Sequence, residues 1–101
     1  MTIAVLTPDR EIFKGSINSV KVPGVSGEFQ VLNNHAPIVS ALEDGKVEIV
    51  TAAGDYEYYN VASGEKETGA NAGNKVVFQI EGGFIEVLNN EVSLLVQGVS
   101  K

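Results

Sequence analysis

The chain is a succession of short apolar segments cut by turn residues, and that spacing constrains the fold more than any single residue does. Ile3 to Leu6 reads as a strand ended by the Thr7-Pro8-Asp9 turn. Glu11 to Phe13 follows, then Gly15, and Ile17, Val20 and Val22 carry the next strand up to Pro23-Gly24. Asn18-Ser19 breaks the period of two inside it, which predicts a bulge. Val47 and Ile49 alternate with Lys46 and Glu48, and Val76, Phe78 and Ile80 with Lys75, Gln79 and Glu81. Phe84 to Leu88 and Val92 to Val96 flank Asn89-Asn90, a pair that tolerates positive φ and suits a tight hairpin. Gly82-Gly83 marks a corner or a close backbone approach. Only Pro37 to Leu42 has the look of a helical turn, and it is too short to be stable alone. The pattern predicts an all-β, antiparallel sandwich or barrel without substantial helix.

With 101 residues the chain fits one domain, 1–101, and at 44% hydrophobic and 20% charged it can bury a core. Ala62 to Asn74, ASGEKETGANAGN, has no large apolar residue and is read as a mobile loop, 62–74, between strands. The net charge is -6 and the seven basic residues are scattered, so the clustered cations that nucleic acid or an anionic lipid surface demands are missing. No apolar run approaches the roughly 18 residues of a membrane span. The N-terminus, MTIAVLTPDRE, lacks the basic and apolar regions of a signal peptide. Direct membrane insertion is therefore not expected, and any membrane association would go through another protein.

Few residues suggest chemistry. His35 is the only histidine and there is no cysteine, a poor start for a transition-metal site. A catalytic base would need a nucleophile brought to it, and no GxSxG-type motif is present. Glu43-Asp44 and Glu65/Glu67 read as a solvated turn and a charged loop rather than as paired catalytic carboxylates. The glycines form no phosphate-binding loop. Neither cofactor nor metal is expected. Tyr56, Tyr58 and Tyr59 leave two readings open, ordinary strand residues or an aromatic platform for a carbohydrate or protein.

Residues 27–42, GEFQVLNNHAPIVSAL, closely resemble the signature of the epsilon subunit of F-type rotary ATP synthases, at Gly27, Glu28, Phe29, Val31, Leu32, His35, Ala36, Pro37 and Leu42. The preceding VKVPGVSGEF, the opening TPDREIFKGSINSVKVPG with Phe13 and Gly15, and the closing EGGFIEVLNNEVSLLV are also similar to that family. The resemblance implies a flattened antiparallel β-sandwich of about ten short strands. It further implies a non-catalytic central-stalk (rotor) subunit, one copy in a hetero-oligomeric complex, that links the gamma subunit to the c-ring and couples proton flow to ATP synthesis. Gly27, Glu28 and Phe29 would be the c-ring contacts, and Asn34, His35, Ala36 and Pro37 the gamma contacts. The expected location is peripheral, at the cytoplasmic face of the bacterial inner membrane. Family members usually continue into a helical hairpin that binds ATP or inhibits rotation, whereas this sequence stops at Lys101, so a short form without that element is expected. Residues 62–74 look like an insertion. The alternative to this reading is a free-standing β-sandwich module that recognises a carbohydrate or a protein through its tyrosines.

Overall fold

In the computed structural model, which describes residues 1–100, the alternating segments become ten strands, and the described residues contain no helix. They are β1 (Thr2–Leu6), β2 (Glu11–Gly24), β3 (Gly27–Leu32), β4 (Ile38–Leu42), β5 (Gly45–Asn60), β6 (Glu65–Gly69), β7 (Lys75–Glu81), β8 (Gly83–Leu88), β9 (Glu91–Leu95) and β10 (Gly98–Ser100).

Two long strands organise the rest. β2 has 14 residues and β5 has 16, and each passes through both layers of the sandwich. The start of β2 pairs with β1 and with the end of β5, which carries β6 on its far side. The end of β2 pairs with β3, while the start of β5 leads on to β7 and β10. From β1 the first layer continues through β9 and β8 to β4. One layer thus runs β4-β8-β9-β1-β2-β5-β6 and the other β3-β2-β5-β7-β10. The register of β2 against β5 shifts between Gly15 and Ile17 and again between Ile17 and Ser19, where the broken alternation predicts a bulge. The break lets β2 turn from one layer into the other.

The inward positions are those the alternation picks out. Val5, Phe13, Ile17, Val20, Val22, Val31, Val47, Ile49, Ile85 and Leu94 have no exposed surface at all. Burial at this level stabilises by roughly 1.5–3 kcal/mol per large side chain. The flattened shape follows, with Cα extents of 32 × 26 × 19 Å. The hairpin between β8 and β9 is as expected, with Asn89 at φ 52° and Asn90 at φ 63°. Gly83, at φ 126°, sits where a Cβ would collide with the Leu95 carbonyl oxygen, so the corner is a close approach of two backbones. Asp44 Oδ1 accepts the Gly82 N–H at 2.8 Å and holds the same corner from the other side.

Three details differ from the sequence reading. Ile38–Leu42 is a strand rather than a helical turn, because pairing with β8 satisfies its backbone as a five-residue helix could not. Residues 62–74 are not all loop, since Glu65–Gly69 forms β6 against Tyr56–Asn60 of β5. β6 has no large apolar residue and lies at a sheet edge, so backbone pairing alone defines it, and no hydrophobic period signals it. Finally, β1 runs parallel to β9, the one parallel pairing among the described residues. Alternation specifies which way side chains point but not the direction of a non-sequential neighbour.

Candidate functional site

A sheet with one solvated face should show polar residues outward. β4 and β8 depart from this. Inward, they present Leu42, Ile85 and Val87 to the core. Outward, Val39 is 70% exposed, Leu88 51% and Phe84 46%, and neighbouring β9 adds Leu95 at 37%. Cross-strand register sets Ala41 opposite Phe84 and Phe84 opposite Leu95, while Val39 and Leu88 border one depression further along the same strands. Glu86 lies opposite Val39, and Glu91 opposite Leu88, so two acids sit among these residues. Pro37, Val39, Glu86 and Leu88 line a shallow depression of about 240 Å³ in this face. A contiguous apolar patch on a small monomer is a mark of docking rather than of folding.

The two expected contact segments border this face at opposite ends. Gly27 closes the two-residue turn after β2, opposite Gly24, with φ 125°. Glu28 is exposed, and Phe29 is half-buried against the core, so in this turn Glu28 presents the charge and Phe29 the anchor. Val25, at the tip and 56% exposed, donates its N–H to Ala41 of β4 at 3.2 Å. The second segment begins roughly 17 Å away, one six-residue strand further on. Asn34 has φ 62°, and the His35 N–H closes a turn on the Leu32 carbonyl at 3.1 Å. Asn34, Ala36 and Pro37 are exposed, whereas His35 is half-buried. Its Nδ1 lies 2.7 Å from the Ala36 carbonyl oxygen. A carbonyl can only accept, so Nδ1 carries the proton, and Nε2 is the acceptor when the ring is neutral.

Sequence reasoning singles out both turns but not Val39, Phe84, Leu88 and Leu95. Their signal was available. FIEVL, residues 84–88, is apolar at outward as well as inward positions, which a half-buried strand does not require.

Elsewhere the polar groups serve the fold. No group of three or more His, Cys, Asp or Glu among the described residues is arranged to hold a metal ion. Glu67 accepts from Asn60 Nδ2 at 2.7 Å, and Asp44 holds the glycine corner. The tyrosines do not form a single platform. Tyr56 stacks on Phe13 at 5.5 Å and Tyr58 on Phe78 at 6.2 Å, while Tyr59 lies under the Arg10 guanidinium at 4.2 Å. Burial, reinforced by the nearby Glu67 charge, pushes the Tyr58 hydroxyl above its ordinary pKa. On the outer face of β5 and β7, Lys75 Nζ lies 3.0 Å from Glu48 Oε1. That hydrogen bond holds the Glu48 carboxyl below the usual range, against an opposing desolvation, with Lys21 and Lys46 contributing.

Comparison with known proteins identifies the domain and its fold. Residues 1–72 match the family described as ATP synthase, Delta/Epsilon chain, beta-sandwich domain. The ATP synthase epsilon chain of Chlorobaculum tepidum is 38% identical over 99 residues, covering 98% of this chain and 91% of that protein. The epsilon chain of Salinibacter ruber is 32% identical over 99 residues, and there the chain spans only 59% of the relative's length. Among solved structures, a chain in the central stalk and c-ring of the Tetrahymena thermophila mitochondrial ATP synthase superposes with a TM-score of 0.69 at 15% identity, over all of this chain and 66% of that one. A chain of the Euglena gracilis mitochondrial enzyme gives 0.68 at 20% identity, over 97% of this chain and 51% of that one. At such identities these two likenesses speak for the fold alone.

Proposed function

Since this chain belongs to the ATP synthase epsilon chains, through their β-sandwich domain, we propose that it is a non-catalytic central-stalk subunit that docks on gamma through the outer face of β4, β8 and β9. The turn at Gly27, Glu28 and Phe29 then faces the c-ring, and Asn34, His35, Ala36 and Pro37 form the gamma-facing rim. In this role the sandwich transmits torque between the ring and the catalytic head, coupling proton flow to ATP synthesis. It needs rigidity more than chemistry, and the two-layer core supplies it. The complex lies at the cytoplasmic face of a bacterial inner membrane, with this subunit peripheral to it. No helix of the described residues is long and apolar enough to cross a membrane. In this reading the sandwich transmits torque and carries no inhibitory element of its own.

The observation that carries the reading is the apolar patch of Val39, Phe84, Leu88 and Leu95 on a chain of net charge -6, lying between both candidate turns. Burying it gives gamma an adhesive surface, and the acidic surround gives it orientation. The direct test is reconstitution. The purified chain mixed with gamma should co-elute as a one-to-one complex, and c-ring added to that complex should be retained. Failure to bind gamma would refute the proposal. Binding of gamma without retention of the ring would leave only the gamma half standing.

A further inference from the structure

We infer that Asn90 is a positioning residue, a side chain that fixes the His35–Pro37 rim so that the neighbouring apolar face is presented in one geometry. The inference rests on the docking role proposed above. Asn90 Oδ1 accepts the backbone N–H of Asn34 at 2.8 Å, and Asn90 Nδ2 donates to Asn33 Oδ1 at 3.2 Å. The Asn90 carbonyl also accepts the N–H of Thr2 at 3.2 Å. The two side-chain contacts bridge residues more than fifty positions apart and tie the turn leaving β3, in one layer, to the β8–β9 hairpin in the other.

The segment needs such a tie. Among the described residues, the backbone of 33–37 makes one backbone–backbone hydrogen bond, from His35 N to the Leu32 carbonyl. Without a further anchor, a segment so sparsely tied would fray. The choice of residue points the same way. The hairpin requires positive φ at both central positions, and glycine meets that at the second more readily than asparagine. Asn90 sits there at φ 63°, so the turn alone does not explain it. What asparagine adds is a side chain with both an acceptor and a donor, and both are used across the sandwich. The clamp also stands at the edge of the depression, because Leu88 precedes the Asn89-Asn90 turn and Pro37 follows the tethered segment.

Three variants of the full chain test this. Asn90→Gly keeps the hairpin backbone and removes the clamp. Asn90→Asp keeps the acceptor for Asn34, and the exposed Asn33 amide can turn its NH2 toward the new carboxylate. Asn89→Gly changes the same hairpin without touching the clamp. Asn90→Gly should speed exchange of the Asn34 amide by about five- to tenfold, the equilibrium worth of one hydrogen bond, and weaken gamma binding by a similar factor. The midpoint of thermal unfolding should not fall. Asn90→Asp should restore both properties, and Asn89→Gly should alter neither. Unchanged Asn34 exchange in Asn90→Gly, wild-type affinity for gamma, or a loss that Asn90→Asp does not restore would each overturn the inference. A wild-type chain that fails to bind gamma would overturn it together with the docking role. The exchange measurement needs no partner and so separates that failure from a missing clamp.

Discussion

The outward residues of β4, β8 and β9 and those of β5 and β7 hold equivalent places in the two layers, yet their chemistry is opposite. On the second face Lys21 lies opposite Glu48, Lys46 opposite Gln79, and Val50 opposite Lys75. On the first, Ala41, Phe84 and Leu95 line up across three strands. Both faces enclose the same kind of core, so the fold does not demand the difference. Folding fixes the inward residues of a sandwich and leaves the outward ones to solubility and partners. The charged face is what a sandwich left in water looks like, with the Lys75–Glu48 pair at 3.0 Å among its contacts. The apolar face is what one looks like when something covers it.

The sharpest test of that contrast uses one residue type, inward in one layer and outward in the other. Phe78 is 1% exposed and Phe84 46% exposed. Phe78→Ala should cost about 3–5 kcal/mol in chemical denaturation, the usual penalty for emptying a core aromatic site. Phe84→Ala should cost less than about 1 kcal/mol. Comparable losses would mean that the outer patch is packed for stability and that the distinction is false.

Next in size is a pair of charge insertions. Leu88→Asp should weaken binding to gamma by about 2 kcal/mol or more, as removal of a central apolar anchor does, with little change in stability. Val77→Asp, at a 43% exposed site on the charged face, should leave affinity within about 0.5 kcal/mol of wild type. Equal effects at both sites would show that gamma does not discriminate between the faces.

How far these assignments could be read from sequence differs between the two faces. Alternation placed Val76, Phe78 and Ile80 inward and Lys75, Gln79 and Glu81 outward, and β7 is built that way. The Asn89-Asn90 hairpin, the Gly82-Gly83 corner and the break in β2 were legible because each rests on backbone conformations that few residues tolerate. β6 was illegible because nothing in EKETG is buried, and its strand exists through Tyr56–Asn60 alone. The same limit hid the apolar face. Outward apolar residues carry no folding signal, and only register shows that Ala41, Phe84 and Leu95 meet. Of the two turns, resemblance supplied the roles, and the structure adds that they lie at opposite ends of β3. The Asn90 clamp joins residues too far apart in sequence for any local pattern to show it.

A smaller effect is expected at Glu28, on the turn beyond the end of the apolar face. Glu28→Gln should leave the unfolding midpoint nearly unchanged, because the side chain is exposed, while weakening retention of the c-ring. A loss of more than about 2 kcal/mol from the isolated chain would make Glu28 a structural group.

The smallest effect belongs to the charged face and is read by pH. The Glu48 carboxyl is held below its ordinary value in the fold. Its contribution is therefore fully present above the unfolded value of about 4.3 and fades as pH falls through the folded one. Lys75→Met should flatten that acid limb of the stability profile, with salt reducing the difference further. At the other extreme, the raised Tyr58 hydroxyl contributes stability that is present below pH about 10 and lost as pH rises beyond it. An acid limb unaltered by Lys75→Met would mean that the ion pair adds nothing.

Whether one outer face is covered and the other is not is read most directly from side-chain methyl resonances of the intact chain during titration with gamma. Val39, Leu88 and Leu95 report on the apolar face, and Val77, at an equivalent outward position of β7, reports on the charged one. The first three should shift or broaden together at stoichiometric gamma while Val77 stays where it was. Perturbation of Val77 with Val39 and Leu88 unmoved would contradict it.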